Sequence, residues 1–346
     1  MAKDRKLYLN ERTTIRDVAQ EAGVSLTTVS HALNGYKDVS EKTRQKVMDV
    51  IKAEGYTPNI FARGLGLDSM KTIGIICPNI ADNYMARAIS HLEQNFHEYG
   101  YDCILGCSGH TREAKENYVK LLLSKRIDAL VMVGSTYGGN GVEEKETTYI
   151  KNASKQAPVF LINSWIEGEN IYCSNADDFS AAYEVTSALI RRGKKRILFL
   201  YDSETFSAKQ KMEGYERALS DAGYPVLGDL KFRTKNEIHH ARDLMLAYKN
   251  LEFDSVFAVE DGLAVAALKY AKVKGISVPE ELSVVGYNNS PLSVSCEPEL
   301  TSVDSRIEQQ CYIAVENIVK VLEGNTEVSH RTIVPCEIVK RCTTDF

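Results

Sequence analysis

Hydrophobic positions change their period once along this chain, near residue 70. Before that point they recur at helical spacing in three short runs. Ile15, Val18, Ala19 and Ala22 share one face after Thr14, whose partner Asp17 three residues on makes a capping signature, and Gly23 ends the run. Ser25 is placed to cap a second helix with Val29, Leu33 and Ala32 turned inward, and Asn34-Gly35 stops it. Ser40 opens a third, in which Val47, Val50 and Ile51 share a face and Gly55 supplies the C-terminal stop. From Lys71 onward, apolar runs alternate with helical patterns. TIGIIC, DCILGC, ALVMV, PVFLI, RILFLY, SVFAV and LSVVGY read as strands, and the alternation predicts parallel sheets with helices on both faces. HEYGYDCILG and SDAGYPVLGD echo each other, which predicts two similar α/β halves. The expected organisation is a headpiece at 12–57, a linker at 58–68 and an α/β core at 69–346.

Composition supports a globular chain: 346 residues with 44% hydrophobic residues can bury a sizeable core. The net charge of −5 hides an asymmetry, because residues 1–66 carry 11 Lys and Arg against 8 Asp and Glu, while the rest carries 31 against 39. A basic head on an acidic body suits a head that binds a polyanion. The eight cysteines include no C-x-x-C pair, the nearest spacing being Cys103 to Cys107, and buried, reduced thiols are expected. No apolar run approaches the roughly 20 residues of a membrane span. The N-terminus MAKDRKLYLNERTT lacks the apolar core of a signal peptide, so the expected location is the cytoplasm.

The second helix carries the candidate chemistry of the head. With Val29 and Leu33 inward, Leu26, Thr27 and His31 point outward, and Ser25, Ser30 and Asn34 stand at the edges. Short donors and acceptors near a helix N-terminus reach base edges in the major groove of DNA, and hydroxyls and amides beside them bond phosphates. No acidic residue interrupts the stretch between Glu21 and Asp38. The run TTIRDVAQEAGVSLTTVSHALNGYKDVSEKTRQKVMDVIKAEGYTPNIFARGL resembles, without a gap from Thr14 to Leu65, the DNA-binding headpiece of the lac repressor (LacI/GalR) family. The resemblance implies that Leu26, Thr27 and His31 read bases and that Thr14, Ser25, Ser30 and Asn34 face phosphates. His31 replaces the arginine of many members, which implies a different operator preference.

The segment PNIFARGLGL is only about two turns long and would be marginal as an isolated helix. Pro58 suits a first turn, whereas Gly64 and Gly66 each cost about 1 kcal/mol against alanine. By the resemblance it is a hinge helix that folds with its counterpart in the minor groove of the operator. Leu65 is then the wedging leucine and Asn59 a further DNA contact.

Ligands of open α/β sheets bind beyond the carboxyl ends of the strands. The loops there are PNIADNYMARA, NSWIEG, EDG and NNS, and they offer Tyr84 and Trp165 for stacking and Asp261 and Asn288 for hydroxyls, a mixture that suits a sugar or a nucleobase. GISVPEELSVVGYNNSPLSVSCEPELTSVD and IRRGKKRILFLY resemble the core of the same family, which is similar to periplasmic sugar-binding proteins and closes two subdomains on an effector. In that comparison Lys211 stands for the effector-gripping arginine, Glu260-Asp261 for an Asn-Asp pair, and Asn288 for an acid. Lysine cannot supply arginine's bidentate fork, which argues against an ordinary hexose while leaving effector binding in place.

Two rival readings are weaker. For an α/β enzyme, GSTYGGNG from Gly134 lacks the closing Gly-Lys-Ser/Thr of a phosphate loop and is read as a surface loop, no G-x-S-x-G or H-E-x-x-H occurs, and His239-His240 point to different faces. A free-standing sugar-binding protein would have no use for residues 14–65. The fold expected is thus α/β: a three-helix helix-turn-helix headpiece and hinge helix, then a two-subdomain core like a periplasmic binding protein. The function expected is ligand-modulated transcription regulation, repression on family grounds, with double-stranded pseudo-palindromic operator DNA and a small-molecule effector such as a carbohydrate as partners. Neither cofactor, metal nor membrane is expected, and with no leucine-repeat tail after Phe346 a homodimer is expected.

Overall fold

The computed structural model describes residues 13–33, 35–56, 69–139, 143–248 and 252–346. They form two compact units, dividing after Met70. In the first, α1 (Ile15–Glu21), α2 (Leu26–Leu33) and α3 (Glu41–Ala53) enclose Val18, Ala19, Ala22, Val29, Ala32 and Val47, with Ile15, Leu33, Val50 and Ile51 half-buried around them. The apolar periodicity therefore sets the packing of all three helices. Tyr56 joins this core as well, because Gly55 takes a left-handed φ of 60° and turns the chain back so that the Tyr56 amide donates to the Ile51 carbonyl.

The second unit holds two six-stranded sheets. The first contains β1 (Thr72–Cys77), β2 (Asp102–Cys107), β3 (Ala129–Val133), β4 (Val159–Ile162), β5 (Ile171–Ala176) and β11 (Arg331–Val334), in the order β11-β5-β4-β3-β1-β2 and all parallel. The second contains β6 (Ile197–Tyr201), β7 (Lys231–Arg233), β8 (Ser255–Ala258), β9 (Ser283–Tyr287), β10 (Thr301–Asp304) and β12 (Glu337–Val339), in the order β12-β10-β9-β8-β6-β7. It is parallel except for β12 against β10.

β1, β3, β4, β8 and β9 are buried along their whole length, which is why they read as continuous apolar runs. The two echoing segments lead into β2 and β7, which occupy equivalent edge positions beside β1 and β6. Five strands escaped the hydrophobic pattern: β5, β7, β10, β11 and β12 are short or rich in hydroxyl and charged residues. They pair because a neighbouring strand offers a ladder.

The chain passes between the halves three times: after β5, after β10, and between β11 and β12. The second passage sends the helix Ile307–Leu322 back onto the first sheet, where Ile307, Cys311, Val315 and Ile318 share a core with Leu92 and Phe96. Thiols are less uniformly buried than expected. Cys77, Cys173 and Cys311 are buried, but Cys107 ends an edge strand and is exposed, as is Cys342. No helix among the described residues is long and apolar enough to cross a membrane.

Candidate functional site

In the headpiece, Leu26 and Thr27 are exposed and His31 half-exposed, while Val29 and Ala32 of the same helix are buried. Ser25 caps the helix: its hydroxyl accepts from the Thr28 amide at 3.1 Å and shares a 2.8 Å hydrogen bond with the Thr28 hydroxyl. The N-terminal turn of α2 thus carries hydroxyls and no carboxylate. Thr14 is differently engaged. Its amide and hydroxyl both donate to Asp17 at 2.7 Å, and these bonds hold the Asp17 carboxyl below its ordinary value. Its donors are spent on capping α1, so contact with a phosphate requires them to be released.

His31 is oriented from outside its own helix. Nδ1 lies 2.6 Å from Asp38 Oδ2, and the ring leans on Tyr36 with centroids 4.8 Å apart. Arg44, on α3, holds the intervening turn by donating to the Ala32 and Tyr36 carbonyls, each at 2.7 Å. With Nδ1 facing a carboxylate, Nε2 is the ring nitrogen left for another partner. Sequence reasoning used Asp38 only as the edge of an acid-free stretch; the turn folds it onto His31. Asn34, Asn59 and Leu65 lie outside the described residues.

In the core, the strand-end loops of both halves border a cavity of about 200 Å³. Tyr84 lines it from the first turn of the helix Asn83–Glu98, Asn288 from the loop after β9, and Lys211 from the helix Phe206–Asp221. Lys211 Nζ donates to the Val259 carbonyl at 3.2 Å, sits 3.6 Å from the Tyr287 ring centroid and lies 4.0 Å from Asp178 Oδ1. Asn288, at the left-handed φ of 82°, donates from Nδ2 to Glu260 Oε2 at 2.8 Å. Arg87, from the first half, donates to the carbonyls of Asn288 and Asn289 and so joins this loop to the opposite subdomain.

Two expected residues are placed elsewhere. Asp261 does not line the cavity: its carboxylate accepts from the Ser302 hydroxyl and the Ser290 amide, both at 2.6 Å, and ties the loop after β9 to β10. Its neighbour Glu260 is the acid that faces inward. Trp165 lines a separate groove with Tyr172 and His330, its ring under the Arg331 guanidinium at 4.7 Å. From the same loop, Asn163 reaches the cavity instead.

Sequence reasoning also passed over Asp82 and Asp202, and read the glycine-rich stretch after β3 as surface. Gly134, Ser135 and Thr136 in fact form a cavity wall, pinned by the buried Lys115, which donates to the Thr136 carbonyl and hydroxyl. The signal available was position: each follows a strand that the pattern had identified.

Burial pushes the Glu260 carboxyl up to about 8, against the pull of Lys211, and Asp82 and Asp202 push the same way as burial. A folded-state value above the unfolded one means that the unfolded chain ionises first, so folding stability falls as pH rises from the ordinary carboxylate range to about 8. Glu260→Gln is expected to flatten this decline, read as melting temperature across a pH series. An unchanged slope would place an ionised Glu260 in the folded protein.

Comparison with known proteins agrees with the headpiece and with the later part of the core. Residues 14–59 match the bacterial regulatory proteins of the lacI family, and residues 186–344 the periplasmic binding protein-like domain. An HTH-type transcriptional regulator of Lachnoclostridium phytofermentans is 44% identical over 334 residues, covering 96% of this chain and 99% of the relative. The chain belongs to the LacI family. Catabolite control protein A of Priestia megaterium is 30% identical over 338 residues, with 96% and 99% coverage. Among solved structures, the lac repressor dimer bound to operator and the anti-inducer ONPF shares the fold with a TM-score of 0.85 at 21% identity, over 96% of this chain and 99% of that one. As a LacI-family protein it is a DNA-binding transcription regulator and not an enzyme.

Proposed function

We propose that this LacI-family regulator is a homodimeric repressor that reads a pseudo-palindromic operator with Leu26, Thr27 and His31, and that a small-molecule effector in the core cavity modulates its operator affinity. The observation that carries the reading is the face of α2: a serine-capped N-terminus, two exposed side chains and an oriented imidazole, with no carboxylate on the helix itself. Phosphate contacts by Ser25 and Ser30 flank that face, and Thr14 joins them if its cap opens. The contacts assigned by resemblance to Asn34, Asn59 and Leu65 belong to the same proposal. The names of similar proteins support the two-ligand logic, since one is a lac repressor dimer bound to operator and another a transcriptional regulator CelR–cellobiose complex.

Selection from random DNA with the full chain is expected to return a two-fold symmetric site. Binding to it should weaken steeply with salt as phosphate contacts release counterions. Equal affinity for selected and random DNA at every salt concentration would overturn the proposal.

A further inference from the structure

We infer that the core cavity selects a monosaccharide-sized polyol bearing a protonated amine, an amino sugar, over neutral sugars and sugar phosphates. The inference rests on the reading of this cavity as the effector site.

Its first support is the charge of the lining. Asp82, Asp202 and Glu260 border one cavity, and among the described residues their carboxylates receive only neutral donors: the Met85 amide, the Ser203 hydroxyl and the Asn288 side-chain amide. The buried cation there, Lys211, is already met from behind by Asp178, the Tyr287 ring and the Val259 carbonyl. His110, at the exposed rim, is the other basic residue of the lining. A ligand ammonium would supply a counter-charge to Asp82 and Asp202 and draw Glu260 into its carboxylate form, whereas a phosphate would be repelled by the two aspartates.

The second support is independent of charge. Tyr84 is 8% exposed, and its hydroxyl has no hydrogen-bond partner among the described residues, nor has Asn163 Oδ1. Both residues border the cavity, so a buried hydroxyl and a buried acceptor without partners stand beside the space that a ligand rich in hydroxyls would fill. The volume of about 200 Å³ suits a single sugar ring, being below the roughly 300–1,000 Å³ of sites for larger ligands.

The site also carries a protonic signature. The groups facing Glu260 are Lys211, Asp82, Asp202, Asn288 and the Tyr84 hydroxyl, with His110 at the rim. With its carboxyl raised to about 8, Glu260 is largely protonated in the free protein at neutral pH. An ammonium beside it favours the carboxylate, so binding expels a proton to the buffer. A neutral sugar needs no such release.

Calorimetry on the full-length protein at neutral pH tests this directly, using glucosamine, galactosamine and mannosamine, their neutral parents and the corresponding 6-phosphates, in two buffers of different ionisation heat. At least one amino sugar is expected to bind about tenfold or more tightly than its neutral parent, with proton release, and its 6-phosphate counterpart to bind weakest. Glu260→Gln, checked for folding by its melting curve, is expected to abolish the proton release and to reduce the amino-sugar preference several-fold, Asp82 and Asp202 keeping the remainder. A neutral or phosphorylated sugar that binds as tightly as its amino counterpart overturns the inference and leaves the effector site standing. Amino-sugar preference that survives in Glu260→Gln with proton release intact overturns the assigned cavity. No binding by any member of the panel overturns the inference and the monosaccharide reading together.

Discussion

His31→Ala is expected to weaken binding to the selected operator by about 1–3 kcal/mol and to leave binding to random DNA nearly unchanged. The expectation comes from geometry: with Nδ1 directed at Asp38 and the ring leaning on Tyr36, one imidazole nitrogen remains for a base edge. A neutral ring presenting Nε2 accepts a hydrogen bond and suits the amino group of adenine or cytosine; a protonated ring donates and suits guanine. Asp38→Ala is therefore expected to relax the base preference at the same operator position, although Asp38 needs no contact with DNA. His31→Arg is expected to move that preference toward guanine, since a guanidinium donates twice to O6 and N7. Fluorescence anisotropy against single-base operator variants measures all three. Equal losses on cognate and random DNA would reduce His31 to a non-specific contact.

Asp261→Ala is expected to destabilise the core by roughly 2–5 kcal/mol, because two buried donors lose their acceptor at once. Those donors are the Ser290 amide and the Ser302 hydroxyl. Burial raises the Asp261 carboxyl, and hydrogen bonds from Ser302 and Ser290 pull against it. Gly286 in β9 belongs to the same arrangement: a Cβ there would stand 2.3 Å from Asp261 Oδ1, so the glycine makes room for the acid. Denaturant unfolding of the full chain should show the loss in the core transition, and Asp261→Asn, which keeps one acceptor, should lose less. Normal stability with weakened ligand binding would return Asp261 to the cavity.

These two positions mark where sequence reading stops. The amphipathic period of α1 to α3 was legible because helix capping and the 3.6-residue repeat are local, so each short run names its own buried face. Strands buried on both sides were legible for the same reason. β10 and β12 were not, since TSVD and EIV become strands only by pairing with one another and with β9. Resemblance carried the family and the existence of two ligand sites, but not the orientation of side chains within them.

At the start of the helix Asp261–Lys274, neighbouring acids point in different directions, and only the seating of that helix against β9 and β10 decides that Glu260 faces the cavity and Asp261 the Ser290 loop. Trp165 and Asn163 part in the same way across one turn after β4. The sequence by itself determined the helical headpiece, the alternating core and the exposed face of α2, all of which follow from local periodicity. Tertiary structure alone decided the Asp38 clamp on His31 and the acidic lining of the cavity, because both join residues separated in sequence whose approach depends on how turns and sheets pack.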